Sequence, residues 1–230
     1  MKTPNNSGIR EELLSLAEED YRRFSSKLLP GTGNILGVRI PALRTIARRE
    51  AKKDWTGYLR EASDDSFEEI LLQGLVIGYA KADAEEICSA LDDFVPKVDN
   101  WSVCDSTVMT LKIAEKNPEL FFSFAKKCIA EGTEFPVRFG IVLLLAHFVN
   151  DRYYRDVLSL LNRREYPGYY ASMAASWAVS VVFAKYPAET EKWLETCILD
   201  TETFNKSLQK IKESYRVDKE TKKRIGMMKR

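Results

Sequence analysis

An all-α fold, an α-solenoid of stacked antiparallel helix pairs with a concave groove, is the class this sequence predicts, and three observations predict it. Apolar residues recur at three- and four-residue spacing along nearly the whole chain, with no convincing strand-like alternation. Connections between the periodic stretches are short and carry Pro, Gly, Asp or Asn, which sets neighbouring helices antiparallel. One stretch also repeats: "EKNPELFFSFAKKCI" (Glu115 to Ile129) lines up with "AKYPAETEKWLETCI" (Ala184 to Ile198). Pro118 answers Pro187, Phe124 answers Trp193, and Cys128 answers Cys197.

Half of that offset falls slightly short of a HEAT or armadillo unit, so two compact helix pairs fit between the copies. Stacked pairs place their first helices on one curved surface and their second helices on the other. In chain order, "IREELLSLAEEDYRRFSSKLL" reads as an opening helix, broken by the turn cluster "PGTGN" (Pro30 to Asn34). Pro41 then opens a helix through "ALRTIARREAKK", since proline at the first helical position wastes no hydrogen bond. Helices follow over Ser66–Ala80, Asp83–Phe94, Asn100–Lys116, Glu119–Ala130 and Val137–Val149. After them come Tyr153–Asn162, Tyr169–Lys185, Ala188–Ile198 and Thr203–Tyr215. The whole chain, 1–230, reads as a single helical-repeat domain; 1–34 form an N-terminal helix and turn. The basic tail, 217–230, either forms a last helix or frays.

With 45% hydrophobic and 30% charged residues, the chain is an ordinary globular one and long enough to bury a substantial core. "MKTPNNSGIR" shows no secretory signal, and the longest apolar run, "FGIVLLLAHFV" (Phe139 to Val149), is too short to span a bilayer. No membrane association is expected. Cys88, Cys104, Cys128 and Cys197 form no CxxC pair and sit in apolar helical patterns, so they read as reduced core residues of a cytoplasmic protein. No metal or organic cofactor is implied, because no ligand cluster or glycine-rich phosphate loop occurs.

A net charge of +1 does not by itself predict a nucleic-acid partner, but the charge is unevenly placed. Asp54 to Asn100 is strongly acidic, with Arg60, Lys81 and Lys97 its only basic residues. Thr201 to Arg230 is basic, and "RTIARREAKK" (Arg44 to Lys53) adds a second basic cluster. Opposed charged faces allow a footprint for a polyanion and equally describe solvated helix surfaces.

"NWSVCD" (Asn100 to Asp105) sets Trp101 and Asp105 one helical turn apart, an aromatic beside a carboxylate. The next inner helix opens with "FPVRFG", where Arg138 leads an apolar face of Ile141, Val142 and Leu145. An unpaired charge there would be costly. The following inner helix carries Trp177 among Ala174, Ala175 and Ser176, small neighbours that let a backbone or a ligand approach the indole. Each residue singly also fits a structural role: a core Trp, a helix-start carboxylate and an ion-paired Arg.

"ILGVRIPALRTIARR" resembles the N-terminal signature of the DNA alkylation repair family, the AlkD-like glycosylases built on HEAT-like repeats. The resemblance continues through "VDNWSVCDST", "EFPVRFGIVLLL", "MAASWAVSVVFAKYP" and "NKSLQKIKESYR", from about Ile35 to Arg216. It implies a catalytic carboxylate at Asp105, aromatic walls for the lesion's sugar and backbone at Trp101 and Trp177, and a phosphate contact at Arg138. It also implies a lesion left largely stacked and reached through the backbone, which suits an open groove. The implied partner is duplex DNA containing alkylated bases, met by a monomer.

The residues are compatible with that chemistry. Breaking an N-glycosidic bond builds positive charge on the deoxyribose, which a carboxylate stabilises and aromatic faces favour. A base alkylated at N3 or N7 is already cationic and leaves without a general acid. The one histidine, His147, lies inside "LLLAHFV" and reads as core. Phosphate neutralisation would fall to Arg39, Arg44 and Arg48 near the start and to Lys206, Lys210 and Arg216 near the end. Lys206 and Lys210 share one helix face. The expected activity is that of a monofunctional glycosylase removing cationic alkylpurines. Two other classes remain open: a DNA-structure-binding relative without base excision, and a helical-repeat scaffold gripping a peptide.

Overall fold

The computed structural model describes residues 6–230; residues 1–5, part of the segment read as lacking a secretory signal, lie outside the described residues. Among the described residues there are fourteen α-helices, two short 3-10 turns and no strand. No described helix is long and apolar enough to cross a membrane. The chain divides into two compact units, one running to Ile113 and one from Ala114 to Arg230.

The first unit holds α1 (Asn6–Ser15), α2 (Glu19–Leu28), α3 (Ile40–Glu50), α4 (Trp55–Glu61), α5 (Phe67–Tyr79), α6 (Ala84–Phe94) and α7 (Trp101–Val108). Its hub is α5, which packs on α3, α4, α6 and α7. Leu71, Leu72, Leu75, Val76 and Ile77 are all buried there, so this helix is apolar on nearly every side. Gly74 sets how closely α7 approaches: a Cβ at that position would strike the Thr107 hydroxyl and the Phe94 ring. The absence of a side chain at Gly74 therefore helps decide where α7 stands.

The second unit holds α8 (Pro118–Ala130), α9 (Glu134–His147), α10 (Tyr154–Leu161), α11 (Gly168–Lys185), α12 (Pro187–Thr196), α13 (Thr201–Glu213) and α14 (Lys219–Gly226). Here α11 is the hub, packed on α9, α10, α12 and α13, while α8 covers α9 and α14 covers α13. In both units alternate helices stack, α3 on α5 on α7 and α9 on α11 on α13, with the intervening helices on top. The two stretches lined up in the sequence share local features. α8 and α12 both begin at a proline, and Cys128 and Cys197 are both buried thiols at or beside a helix end. All four cysteines are free and buried.

Side-chain caps start many of the helices. Asp54, Ser66, Asn100, Asp200 and Asp218 each accept the backbone N–H three residues on, a contact worth about 1 kcal/mol. The tail forms α14, and the Arg230 guanidinium beyond it donates to the Leu199 and Cys197 carbonyls at 3.1 Å and sits 3.8 Å over the Phe204 ring.

The boundaries depart from the sequence reading in several places: α9 starts at Glu134 rather than Val137, and three further departures change how the chain divides into helices. The opening helix is two, because the Glu18 N–H leaves the helical ladder and donates to the Gly37 carbonyl at 3.0 Å. The stretch after α3 is not a continuation to Lys53: α3 ends at Glu50 and a separate short α4, capped by Asp54, follows. The helix expected over Asn100–Lys116 stops at Val108 and resumes only as a 3-10 turn at Lys112–Glu115. Both the N–H and the hydroxyl of Thr110 take the Thr107 carbonyl, at 3.0 and 2.7 Å, so it no longer serves the next helical N–H.

Candidate nucleic-acid interface

On α7, Asn100 is buried and its side-chain oxygen accepts the Val103 N–H at 3.0 Å, which fixes the first turn. Val103, Cys104, Thr107 and Val108 point into the core of the first unit. The complementary stripe carries Trp101 and Asp105, both half-buried. The Trp101 indole does not swing freely: its Nε1–H donates to the carbonyl of Leu28, the last residue of α2, at 3.0 Å. The structure thus brings Trp101 and Asp105 together on one helix face, as their spacing requires, and leaves the carboxylate partly open to solvent.

In the second unit, Arg138 is 6% exposed on α9 and donates from Nη1 to the Tyr170 carbonyl at 2.9 Å. One turn earlier on α9, Glu134 accepts the Tyr170 N–H at 2.6 Å. The pair therefore grips both sides of one residue in the first turn of α11, and Phe135 lies 5.4 Å from the Tyr170 ring. Trp177 is half-buried further along α11. Its small neighbours Ala174, Ala175 and Ser176 are buried, and Ser176 donates to the Thr203 carbonyl of α13 at 3.2 Å. Their small size admits the backbone of the next helix.

The expected phosphate contacts fall into different settings. Arg39 is exposed and doubly bonded to Glu18 at 2.8 Å, with its guanidinium 4.9 Å over Tyr21. Arg44 and Arg48 lie one turn apart on α3 and both donate to the Tyr79 hydroxyl, at 3.2 and 3.3 Å. Lys206 and Lys210 occupy successive turns of α13, half-buried, and Lys210 lies 3.5 Å from Glu213. Arg216 is exposed just after α13. His147 is buried with Nδ1 3.2 Å from Glu115. Among the described residues no group of three or more His, Cys, Asp or Glu side chains is placed to hold a metal ion.

Three participants escaped the sequence reading. Glu134 stands four residues before Arg138, a spacing that could have paired them on one helix face. Tyr79 meets α3 only through tertiary packing, and nothing local marks it. The Leu28 carbonyl is a backbone group, and backbone groups carry no sequence signal.

Comparison with curated proteins returns no match. A family of DNA alkylation repair enzymes matches residues 9–206, which takes in α7, α9, α11 and the basic turns of α3. Over that span the chain belongs to the DNA alkylation repair enzyme family.

Proposed function

We propose that the chain is a monofunctional DNA glycosylase that hydrolyses the N-glycosidic bond of cationic N3- or N7-alkylated purines in duplex DNA. The observation that carries this reading is the setting of Asp105. In a chain of this family, a partly accessible carboxylate stands one turn after an indole held in place by a main-chain carbonyl.

In this reading the C1′–N bond breaks and its electron pair neutralises the cationic base, which departs without a proton donor. The Asp105 carboxylate stabilises the sugar cation left behind. It also orients a water molecule, whose oxygen bonds to C1′ and whose proton passes to solvent. Trp101 and Trp177 supply aromatic faces that favour the positive sugar, and Arg138 supplies a charge for a phosphate. Arg39, Arg44, Arg48, Lys206, Lys210 and Arg216 hold the backbone.

The same reading takes the helix pairs as one HEAT-like solenoid domain with a concave groove, acting as a monomer. Its support is the near-constant interval between the starts of α5, α7, α9, α11 and α13, at Phe67, Trp101, Glu134, Gly168 and Thr201.

The test is release of free base from duplex DNA carrying 7-methylguanine, wild type against Asp105→Asn. The expected result is release by the wild type, lost in the variant while DNA binding is kept. A wild type that binds the duplex and frees no base makes the chain a non-catalytic DNA-binding relative. Absence of any DNA binding leaves the peptide-gripping scaffold.

A further inference from the structure

The first unit has eight arginines, and six of them face carboxylates. Arg10 pairs with Glu69, Arg22 and Arg23 with Glu19, Arg39 with Glu18, Arg49 with Glu12 and Glu50, and Arg60 lies 3.8 Å from Asp54. Arg44 and Arg48 are the exceptions: among the described residues neither has an acidic partner. This occurs beside one of the most acidic stretches of the chain, so carboxylates are not scarce. Like charges one turn apart on a helix repel by a few tenths of a kcal/mol. These two nonetheless converge on a single neutral group.

That group is the Tyr79 phenol at the end of α5. Its oxygen accepts from Arg44 Nη1 at 3.2 Å and from Arg48 Nη2 at 3.3 Å, and the Arg48 guanidinium lies 4.8 Å over its ring. A hydroxyl that accepts two N–H groups must aim its own hydrogen elsewhere. Among the described residues no group accepts it. The guanidiniums also keep most of their five N–H groups each after a single bond to the phenol. The result is a set of donors, two of them charged, held in fixed relation by the packing of α3 on α5, with no carboxylate among the described residues paired to either guanidinium.

We propose that Arg44, Arg48 and Tyr79 form a clamp for one phosphodiester of duplex DNA, with Tyr79 donating its hydroxyl hydrogen to a non-bridging oxygen. The guanidiniums match the planar pair of non-bridging oxygens, as lysines would not. The clamp positions the duplex without reading its sequence, because it touches no base. This rests on the reading of the chain as one that acts on duplex DNA. The new element is Tyr79, whose phenol both spaces the two charges and contributes a contact of its own.

The experiment measures the affinity of the full chain for an undamaged duplex across a range of salt concentrations. Arg44→Gln and Arg48→Gln are each expected to weaken binding about tenfold, whatever the sequence, while only the double variant, which leaves the phosphate without a cation, is expected to lower the salt slope by about 1. Tyr79→Phe keeps the ring under Arg48 and removes no charge, so it is expected to weaken binding severalfold with the slope unchanged. Arg44→Lys, which keeps charge and loses the fork, serves where Arg44→Gln lowers the melting temperature; it is expected to weaken binding while preserving the slope. If Tyr79→Phe binds as the wild type does, or lowers the slope, the clamp is wrong while the wild type's own binding leaves the functional reading standing. A wild type with no affinity for duplex removes that reading and the clamp with it. Inorganic phosphate at matched ionic strength is the control for the source of the anion: no competition beyond that of chloride is expected. Competition lost in Tyr79→Phe would assign the site to a free anion and overturn the proposal.

Discussion

The Glu134 carboxylate accepts the backbone N–H of Tyr170 at 2.6 Å, so a side chain from the first turn of α9 terminates the first turn of α11. Helix N-termini carry unsatisfied N–H groups and a partial positive charge, and a carboxylate there answers both. Arg138, one turn along α9, takes the carbonyl of the same residue. The two helices that carry Arg138 and Trp177 are thereby locked in register at one end.

That lock depends on Gly168, which has φ +78° and whose missing Cβ leaves room for the Glu134 carboxylate. Gly168→Ala would place a methyl group against that carboxylate in a left-handed conformation. The expected loss is about 1–3 kcal/mol, read as a fall in the thermal midpoint. An unchanged midpoint would show that the α11 start can be rebuilt without this contact.

Glu68 is fully buried and accepts three successive backbone N–H groups, those of Leu36, Gly37 and Val38, at 2.9, 2.7 and 3.1 Å. It organises the loop that leads into α3 and its arginines. Glu68→Gln removes the charge and turns an amide group toward donors. A loss of about 3 kcal/mol is expected in denaturant unfolding, with a larger effect on DNA binding than on helix content.

Acid should loosen α2 before the hubs. Hydrogen bonds from Arg22 and Arg23 lower the Glu19 carboxyl from 4.5 to about 2, and Arg39, Arg49 and Arg224 likewise lower Glu18, Glu12 and Glu191. Groups depressed in the folded state contribute stability above their unfolded values and lose it as pH falls through the folded ones. For Glu19 the window runs from about pH 4.5 down to about 2. Carboxyl NMR titration should place its midpoint near 2. In an Arg22→Gln, Arg23→Gln double variant that midpoint should return to about 4.5.

Trp101→Phe keeps an aromatic wall and deletes the donor to Leu28. Because the Leu28 carbonyl is near the surface, water can replace the indole and the stability cost should stay under about 1 kcal/mol. Under the proposed glycosylase function, base release should nevertheless fall about ten- to a hundredfold, since a small misplacement of a positioning group is enough. Wild-type release rates in this variant would show that the tether has no part in catalysis.

The all-helical character was legible because helix formation leaves a local record. Apolar periodicity along α6 and α13, capping residues at Ser66, Asn100 and Asp200, and prolines at Pro118 and Pro187 all act within a few residues of themselves. Two of the misplaced boundaries share one trait, a local pattern that continues while a backbone group is diverted. Glu18 gives its N–H to Gly37, and the Thr107 carbonyl is taken by Thr110.

By itself the sequence determined that the chain is helical, where most of its helices lie, and that Trp101 and Asp105 share a face. It carried the family resemblance as well, because those properties follow from residue order and the 3.6-residue turn. Only tertiary structure decided which arginines are already satisfied. Arg39 and Arg44 sit only five residues apart, yet one is bound to Glu18 and the other shares a phenol with Arg48. A charge becomes available or spoken for through groups brought near it by packing, and those groups come from distant parts of the chain.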